Sequence, residues 1–327
     1  MDLFGFFRKK KDKDTENESV DGKGKGRVIV LKKTKPGMCG GTDATQDTRA
    51  PKEILSREMT LFDVTSALGS LPRDSELTLD EEIGFVSAFA AQAGDHTFLF
   101  LEKGDGFRRY AEKTSSWALV RGNVFPELVT LVNDCRIAAN NGFHSTTHGL
   151  PENFGGSIDI RYASGERISI SDNQSPLIGP VTGYKIAKLF ERLLGGEKAV
   201  LPDVSLLSEI RFEEERKAGS FTHATLKFLP DGTGVNHKKS CYDSANVYES
   251  EKTVDAETVG KIKKNIADNG LLAWAELPSN GYNSGEKKKL TFVFESGEEI
   301  IVSGDKKTPD QLRSAFFAIE LEMTTKH

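Results

Sequence analysis

Two histidines, His144 and His148, stand four residues apart in this chain. On a helix this spacing points both imidazoles to one side, which could begin a metal site. The pair follows Gly142, which is predicted to end a helix, so it should lie in a loop where the spacing fixes no geometry. His237 and Cys241 are also four apart, but on a predicted strand, where they form no defined cluster. The sequence therefore predicts no metal site.

A cysteine nucleophile needs a histidine base within hydrogen-bond reach. By residue type alone, Cys135 could pair with His144, and Cys241 with His223 or His237. Cys135 shares the apolar side of its predicted helix with leucines, so we predict that it packs in the core. No motif for a serine nucleophile, a phosphate-binding loop or a zinc protease occurs in the sequence. We therefore predict no catalytic residue and no cofactor.

The alternative is a hydrolase or transferase whose site lies at the junction of two repeated units. The residues that could serve it offer imidazole and carboxylate groups for acid–base chemistry. They are His144, His148, His237 and Asp105. Asp105 lies in a Gly-Asp-Gly sequence, but this sequence lacks the strand, spacing and helix of a dinucleotide-binding fingerprint.

The chain begins with bulky apolar residues and continues with a basic cluster, which could contact a partner or an anionic membrane surface. Each cation near such a surface contributes about 1 kcal/mol, and each buried phenylalanine adds about 1.5 to 3 kcal/mol. Residue 2 is Asp2, which excludes myristoylation. The alternative is that these residues dock on the protein's own body or remain free. The contact residues would be Phe4, Phe6, Phe7, Arg8, Lys9, Lys10 and Lys11.

Trp274 follows a predicted helix end in an apolar stretch. We predict that it fills the gap between a helix and a sheet. The alternative is that it anchors a partner, because tryptophan is enriched among the residues that dominate binding energy.

The composition is that of an ordinary globular protein, with 37% hydrophobic and 28% charged residues. The net charge is −5, but residues 1–35 carry 11 Lys and Arg against 6 Asp and Glu, or +5, which leaves −10 for the rest. An acidic body disfavours nucleic acid as a partner, since phosphate recognition needs a basic face. Three cysteines without a close pair indicate a reducing compartment. We therefore predict a cytoplasmic protein, peripheral at the inner face of the membrane if its N-terminus binds lipid.

The chain repeats a pattern of strands, a helix ending in Asn-Gly, a hairpin and a closing helix. In the first hairpin, a three-residue loop ending at Gly165 puts all apolar side chains on one face. This register pairs Ile160 with Ile168 and Ile158 with Ile170. The last loop residue then takes the left-handed conformation that glycine tolerates.

The second hairpin follows the same rule. Gly297 ends its loop, Phe292 lies opposite Ile300, and Leu290 lies opposite Val302. The shared register predicts that both hairpins belong to equivalent antiparallel sheets.

These patterns predict an α+β fold: two tandem copies of an antiparallel sheet covered by helices on one face, preceded by a small helical segment and a disordered N-terminal tether. The helical segment rests on apolar residues at helical spacing near 59–68 and 81–90. The predicted domains are a flexible basic segment over 1–53 with a short edge strand near Val28, a helical subdomain or cap over 54–95, copy one over 96–195, a linker over 196–218, and copy two over 219–327.

The repeated unit resembles units of uncharacterised bacterial two-copy α+β proteins of unknown function. The similarity lies in a strand ending in Asp-Gly, a helix ending in Asn-Gly, and a Ser-Gly hairpin before a helix begun by proline. It implies no activity. We predict a noncatalytic bacterial scaffold or protein-binding module with an unknown protein partner, because duplicated scaffolds enlarge a binding surface without a reactive centre.

Overall fold

A computed structural model describes residues 28–35, 37–69, 83–105, 112–150, 154–216, 219–242, 246–279 and 287–325, apart from the side chains of residues 310 and 311. These residues form a mixed α+β fold with one nine-stranded and one six-stranded sheet.

The nine-stranded sheet has the order β1-β2-β7-β9-β8-β3-β4-β5-β6, and only β7 and β9 run parallel. Two helices accompany this sheet. Helix α1 (Phe125–Asp134) and the 3-10 helix Ile137–Asn140 lie between β6 and β7 in the chain, and helix α2 (Pro180–Leu194) follows β9. The strands are β1 (Val28–Lys32), β2 (Thr42–Asp47), β3 (Met59–Ala67), β4 (Phe85–Ala93), β5 (His96–Gly104), β6 (Lys113–Arg121), β7 (Phe143–Thr147), β8 (Gly156–Tyr162) and β9 (Arg167–Asp172).

The six-stranded sheet is antiparallel throughout, with the order β13-β12-β11-β10-β14-β15. Its helices are α3 (Ala256–Asp268) and α4 (Asp310–Thr324), with 3-10 helices Val204–Leu206 and Leu271–Glu276. The strands are β10 (Leu207–Glu215), β11 (Phe221–Phe228), β12 (Gly234–Cys241), β13 (Val247–Val254), β14 (Lys287–Phe294) and β15 (Glu299–Ser303).

Both hairpins have the predicted register. Ile160 lies opposite Ile168 in the first, and Phe292 lies opposite Ile300 in the second. The glycines that end the two loops have φ values of +87° at Gly165 and +85° at Gly297. The side-chain alternation and the left-handed glycine were therefore sufficient to predict the strand register of both hairpins.

The helix ends were predicted in part. Gly142 and Gly270 have positive φ, as expected after a helix. However, α1 ends at Asp134 rather than at Asn141. The chain leaves the helix where Arg136 takes a left-handed conformation, and a 3-10 helix then leads to the glycine.

The predicted helices near 59–68 and 81–90 are wrong, because these regions contain strands β3 and β4. Phe62 and Val64 pack in a core on one face of the sheet, whereas Leu61 packs in a second core on the other face. A strand that is buried on both faces loses the apolar alternation that identifies a strand in a sequence.

Two further segments are more ordered than predicted. The proposed linker over 196–218 is wrong for Leu207–Glu215, since β10 lies between β11 and β14 in the sheet. The proposed flexible segment over 1–53 contains β1, the expected short edge strand, and also β2. Residues 1–27 lie outside the described residues.

Two hydrophobic cores hold the sheets and helices together. The first core joins α1 and α2 to one face of the nine-stranded sheet, where the rings of Phe62 and Phe190 lie 5.6 Å apart. The second core joins the opposite face of β3, β4 and β5 to the six-stranded sheet and its helices. At this junction Trp117 stacks on Phe98, and its Nε1 donates a hydrogen bond to the carbonyl oxygen of Asp268.

Candidate functional site

His144 lies on β7 in a strand rather than in the expected loop. Its Nδ1 is 2.9 Å from the hydroxyl oxygen of Ser171 on the neighbouring strand β9. Burial lowers the pKa of His144 below its usual value, the charge of Arg167 acts in the same direction, and Asp47 opposes both. A partly buried histidine with a depressed pKa is neutral at physiological pH and could act as a hydrogen-bond partner or a weak base.

His148 has a different environment. Its Nε2 lies 3.0 Å from Oδ2 of Asp43, and both side chains are about half exposed. The backbone amide of Thr34 and then His148 lower the pKa of Asp43. The contact joins the start of β2 to the end of β7, so it fastens two neighbouring strands.

The other predicted acid–base residues lie in separate parts of the molecule. His237 is exposed on β12 of the six-stranded sheet. Asp105 follows β5, which is five positions away from β7 in the strand order. Since neighbouring strands are about 4.8 Å apart, five positions correspond to roughly 24 Å. The fold therefore does not bring the histidines and Asp105 together into one cluster.

Trp274 is only 2% exposed and lies in the second core. Its Nε1 donates a hydrogen bond to the carbonyl oxygen of Asn269 at 3.2 Å. In this position the ring fills the space beside the sheet and leaves no face for a partner. The predicted N-terminal contact residues, Phe4, Phe6, Phe7, Arg8, Lys9, Lys10 and Lys11, lie outside the described residues.

The described ranges contain no group of three or more His, Cys, Asp or Glu side chains that could hold a metal ion. They also contain no helix with the length and apolarity needed to cross a membrane.

A charge cluster around the buried Glu214, which sequence reasoning missed, lies between β10, β14 and α4. Lys288 Nζ is 2.7 Å from Oε1 of Glu320 and 3.2 Å from Oε1 of Glu214. Arg216 is paired with the other oxygen of Glu214. The sequence signal was the alternation in β10, because Ile210 and the residue four positions later, Glu214, share its buried face.

This cluster is not an arrangement for lysine chemistry. Burial acts to lower the pKa of Lys288, but the carboxylates of Glu320 and Glu214 raise it above its usual value. A lysine that stays charged is neither a nucleophile nor a base. The cluster therefore holds α4 to the sheet by bridging the buried carboxylate of Glu214 and the partly buried carboxylate of Glu320.

Among the described helices and strands, the longest run of exposed apolar residues lies on β1, one of the two outermost strands of the nine-stranded sheet. Val28, Ile29, Val30 and Leu31 are 54%, 39%, 49% and 49% exposed. Successive side chains of a strand point to opposite faces, so both faces of β1 are open. Apart from β2, no described strand pairs with it.

An edge strand of this kind is a known liability in proteins, and most edges are shortened, charged or covered. Here the pairing of β1 with β2 shifts register between Val30 and Lys32, which places an irregularity at Leu31. Lys32 and this bulge limit the edge to a few residues, but they do not explain four exposed aliphatic side chains. The geometry of β1 can accept an added strand.

Neither the models of known protein families nor the curated proteins match this chain.

Proposed function

We propose that this protein is a noncatalytic scaffold that binds a protein partner at the edge strand β1. The observation that carries the proposal is the exposure of Val28 through Leu31 on a strand whose outer side pairs with no described strand. Burial of apolar surface contributes about 25 cal/mol for each Å², so leaving four such side chains in water is unfavourable unless a partner covers them.

We further infer that the chain contains two tandem copies of one unit. The first unit runs β3-β4-β5-β6-α1-β7-β8-β9-α2, and apart from β7 it has the element order of the second, β10-β11-β12-β13-α3-β14-β15-α4. Each unit therefore begins earlier than the copies predicted over 96–195 and 219–327. The strand orders also correspond, with β9-β8-β3-β4-β5-β6 matching β15-β14-β10-β11-β12-β13. This correspondence, together with the common hairpin register, supports duplication.

We infer that helices cover one face of each sheet. Helix α2 packs on β4, β5 and β6, and α4 packs on β11 and β12, which are strands at equivalent positions. Glu191 of α2 contacts Lys103 of the first sheet, and Glu320 of α4 contacts Lys288 of the second. Strands β1, β2 and β7 have no counterpart among the described residues of the second unit, so the binding edge is an addition to the repeat.

A binding role is favoured over the hydrolase or transferase alternative by the distribution of reactive groups. His144 and His148 have separate partners, and His237 lies in the other sheet. The second core contains apolar side chains from both sheets, and Lys307, which reaches the nine-stranded sheet beside it, is held in ion pairs with Asp63 and Asp159.

The proposal is tested with the photoreactive residue p-benzoylphenylalanine placed at Ile29 of the full chain in its native cells. The matched control carries it at Ile301, an exposed aliphatic residue on the outermost strand of the six-stranded sheet. We expect a crosslinked protein from position 29 and not from position 301. The purified partner should bind the wild-type chain and bind Val30→Asp at least about tenfold more weakly, or about 1.4 kcal/mol. Equal crosslinking at both positions, or none at 29, contradicts the proposal.

We also propose that residues 2–13 hold the protein at the cytoplasmic face of an anionic membrane. The support is the sequence of Leu3, Phe4, Phe6 and Phe7 followed by a basic cluster, because apolar insertion and cation attraction add together. The test is sedimentation with vesicles of phosphatidylcholine, with and without phosphatidylserine. The full chain should sediment only with the anionic vesicles, and a variant lacking residues 2–13 should not. Equal recovery of both proteins in the supernatant would end this proposal.

A further inference from the structure

The chemistry of β1 and its surroundings identifies the kind of partner that fits it, an inference that rests on the proposed binding function. We infer that the partner contributes an extended segment with alternating aliphatic residues flanked by Asp or Glu, which adds to the nine-stranded sheet beside β1.

The backbone of β1 favours an extended occupant. In an antiparallel pair, alternate residues direct their N–H and C=O groups towards the neighbouring strand, and the remaining residues direct theirs away. Val28, Ile29 and Val30 pair in regular register with Asp47, Gln46 and Thr45 of β2. Part of this stretch therefore presents its polar groups outwards, where an added strand can bond to them.

The side chains of β1 favour an aliphatic occupant. Val28 and Val30 project to one face, and Ile29 projects to the other. Because neither face is covered, a partner strand with β-branched residues at alternate positions can pack beside the aliphatic groups on both faces. Cross-strand pairs of this type contribute about 0.2 to 1 kcal/mol each.

The charge around β1 favours an acidic occupant. Residues 28–35 contain three exposed lysines and no carboxylate. The lysines are Lys32, Lys33 and Lys35. Asp43 and Asp47 on the adjacent strand are held by His148 and Arg49. An acidic segment meets these cations, whereas a basic one is repelled.

The same charges argue against a second copy of this chain as the occupant. Two β1 strands paired with each other would bring together the three lysines of each copy, Lys32, Lys33 and Lys35, with no carboxylate in residues 28–35 to balance them. Like charges at facing positions are destabilising. Two strands of this length also bury far less than the roughly 1,200 Å² of a stable interface.

The test uses fluorescein-labelled peptides and anisotropy with the full chain. The probe is Glu-Glu-Val-Thr-Val-Thr-Val-Thr-Glu-Glu, and its twin has lysine in place of every glutamate. We expect the acidic probe to bind at least about tenfold more tightly than the basic twin. Lys32→Glu/Lys33→Glu should reverse this order. The matched control Lys227→Glu/Lys239→Glu changes two exposed lysines on the outer face of the six-stranded sheet and should preserve it.

Strand addition is tested on the probe itself, so that no protein variant needs to fold. Two versions of the acidic probe are N-methylated on alternate residues. One version should lose binding because its N–H groups point to β1, and the other should retain it. Equal loss from both versions, or from neither, overturns strand addition.

Other outcomes also overturn the inference. These are equal affinity for both peptides, a concentration-dependent dimer that Val30→Asp abolishes, or about a tenfold gain in peptide affinity when residues 2–13 are removed, which would identify the chain's own N-terminus as the occupant. If position 29 still crosslinks a protein while the acidic peptide fails, the binding function stands and only the partner chemistry is wrong. If both experiments fail, both proposals are wrong.

Discussion

Lys307 Nζ lies 2.5 Å from Oδ2 of Asp63, and this ion pair fastens the segment before α4 to the centre of the nine-stranded sheet. Asp159, the cross-strand neighbour of Asp63, is 3.7 Å from the same ammonium group. The three side chains are 13% to 17% exposed. Asp159 is also paired with Arg161 and Arg167, so Lys307 joins a cluster of charges that holds the segment before α4 against the nine-stranded sheet.

Replacement of this lysine should weaken the whole structure. Lys307→Met removes one cation from this site while Asp159 keeps Arg161 and Arg167, so we expect the free energy of unfolding to fall by about 2 kcal/mol. Adding Asp63→Asn should recover part of this loss, because an uncharged amide costs less to bury than a carboxylate that has lost its nearest lysine. Urea denaturation of both variants measures the effect. The control is Arg192→Met, which breaks an exposed pair with Glu127 and should cost less than about 1 kcal/mol. Equal losses from the buried and the exposed pair would contradict this account.

The two hairpin glycines should respond equally to substitution. A Cβ atom added at Gly165 or at Gly297 meets no other atom within 4 Å, so only the left-handed backbone opposes it. We expect Gly165→Ala and Gly297→Ala each to lower the free energy of unfolding by about 1 kcal/mol.

Gly260 provides the matched control for these substitutions. It lies inside α3, where a Cβ also meets nothing within 4 Å and where φ is not positive. Gly260→Ala should raise the free energy of unfolding by about 0.5 to 1 kcal/mol, since alanine favours a helix. If Gly260→Ala lowers the free energy of unfolding as much as the two hairpin substitutions do, the added methyl group rather than the backbone conformation causes the destabilisation.

These hairpins also show what the sequence could and could not predict. The pairing of Ile158 with Ile170 followed from side-chain parity and loop length, which are local properties. The strands β3 and β4 do not look like strands in the sequence because the second core covers one of their faces, as at Phe89, and a contact with distant residues leaves no local periodicity. The solvent exposure of the β1 side chains could not be predicted either, because it depends on which distant elements pack above and below the strand.

Tyr162 should tolerate the loss of its hydroxyl group. The residue is 4% exposed, and its hydroxyl has no hydrogen-bond partner in the described part of the chain. Burial, with a smaller effect from Glu166, raises the pKa of Tyr162 to about 12. Tyr162→Phe removes an unsatisfied polar atom, so we expect the free energy of unfolding to stay equal or rise by about 1 kcal/mol.

The titration of the protein at alkaline pH provides a second test of the environment of Tyr162. Between about pH 10 and pH 12 an unfolded tyrosine ionises and the folded Tyr162 does not, so its contribution to stability falls as pH rises through this window. The ultraviolet titration of tyrosinate should lose its latest step in Tyr162→Phe. The exposed Tyr242→Phe should keep that step. If Tyr162→Phe is less stable than the wild type at neutral pH, the hydroxyl group makes a stabilising hydrogen bond, and this account is contradicted.

His144 should make the protein sensitive to mild acid. Because its pKa is depressed in the folded state, the folded protein binds fewer protons than the unfolded chain between that depressed value and about 6.5. Stability contributed by the neutral imidazole is therefore complete above about pH 6.5 and falls as the pH decreases through the window. In His144→Gln the free energy of unfolding should change less between about pH 8 and pH 5 than in the wild type, as measured by urea denaturation. Thr146→Gln, at an exposed position of the same strand, should retain the wild-type slope. An unchanged slope in His144→Gln would mean that burial beside Ser171 does not penalise the charged imidazole.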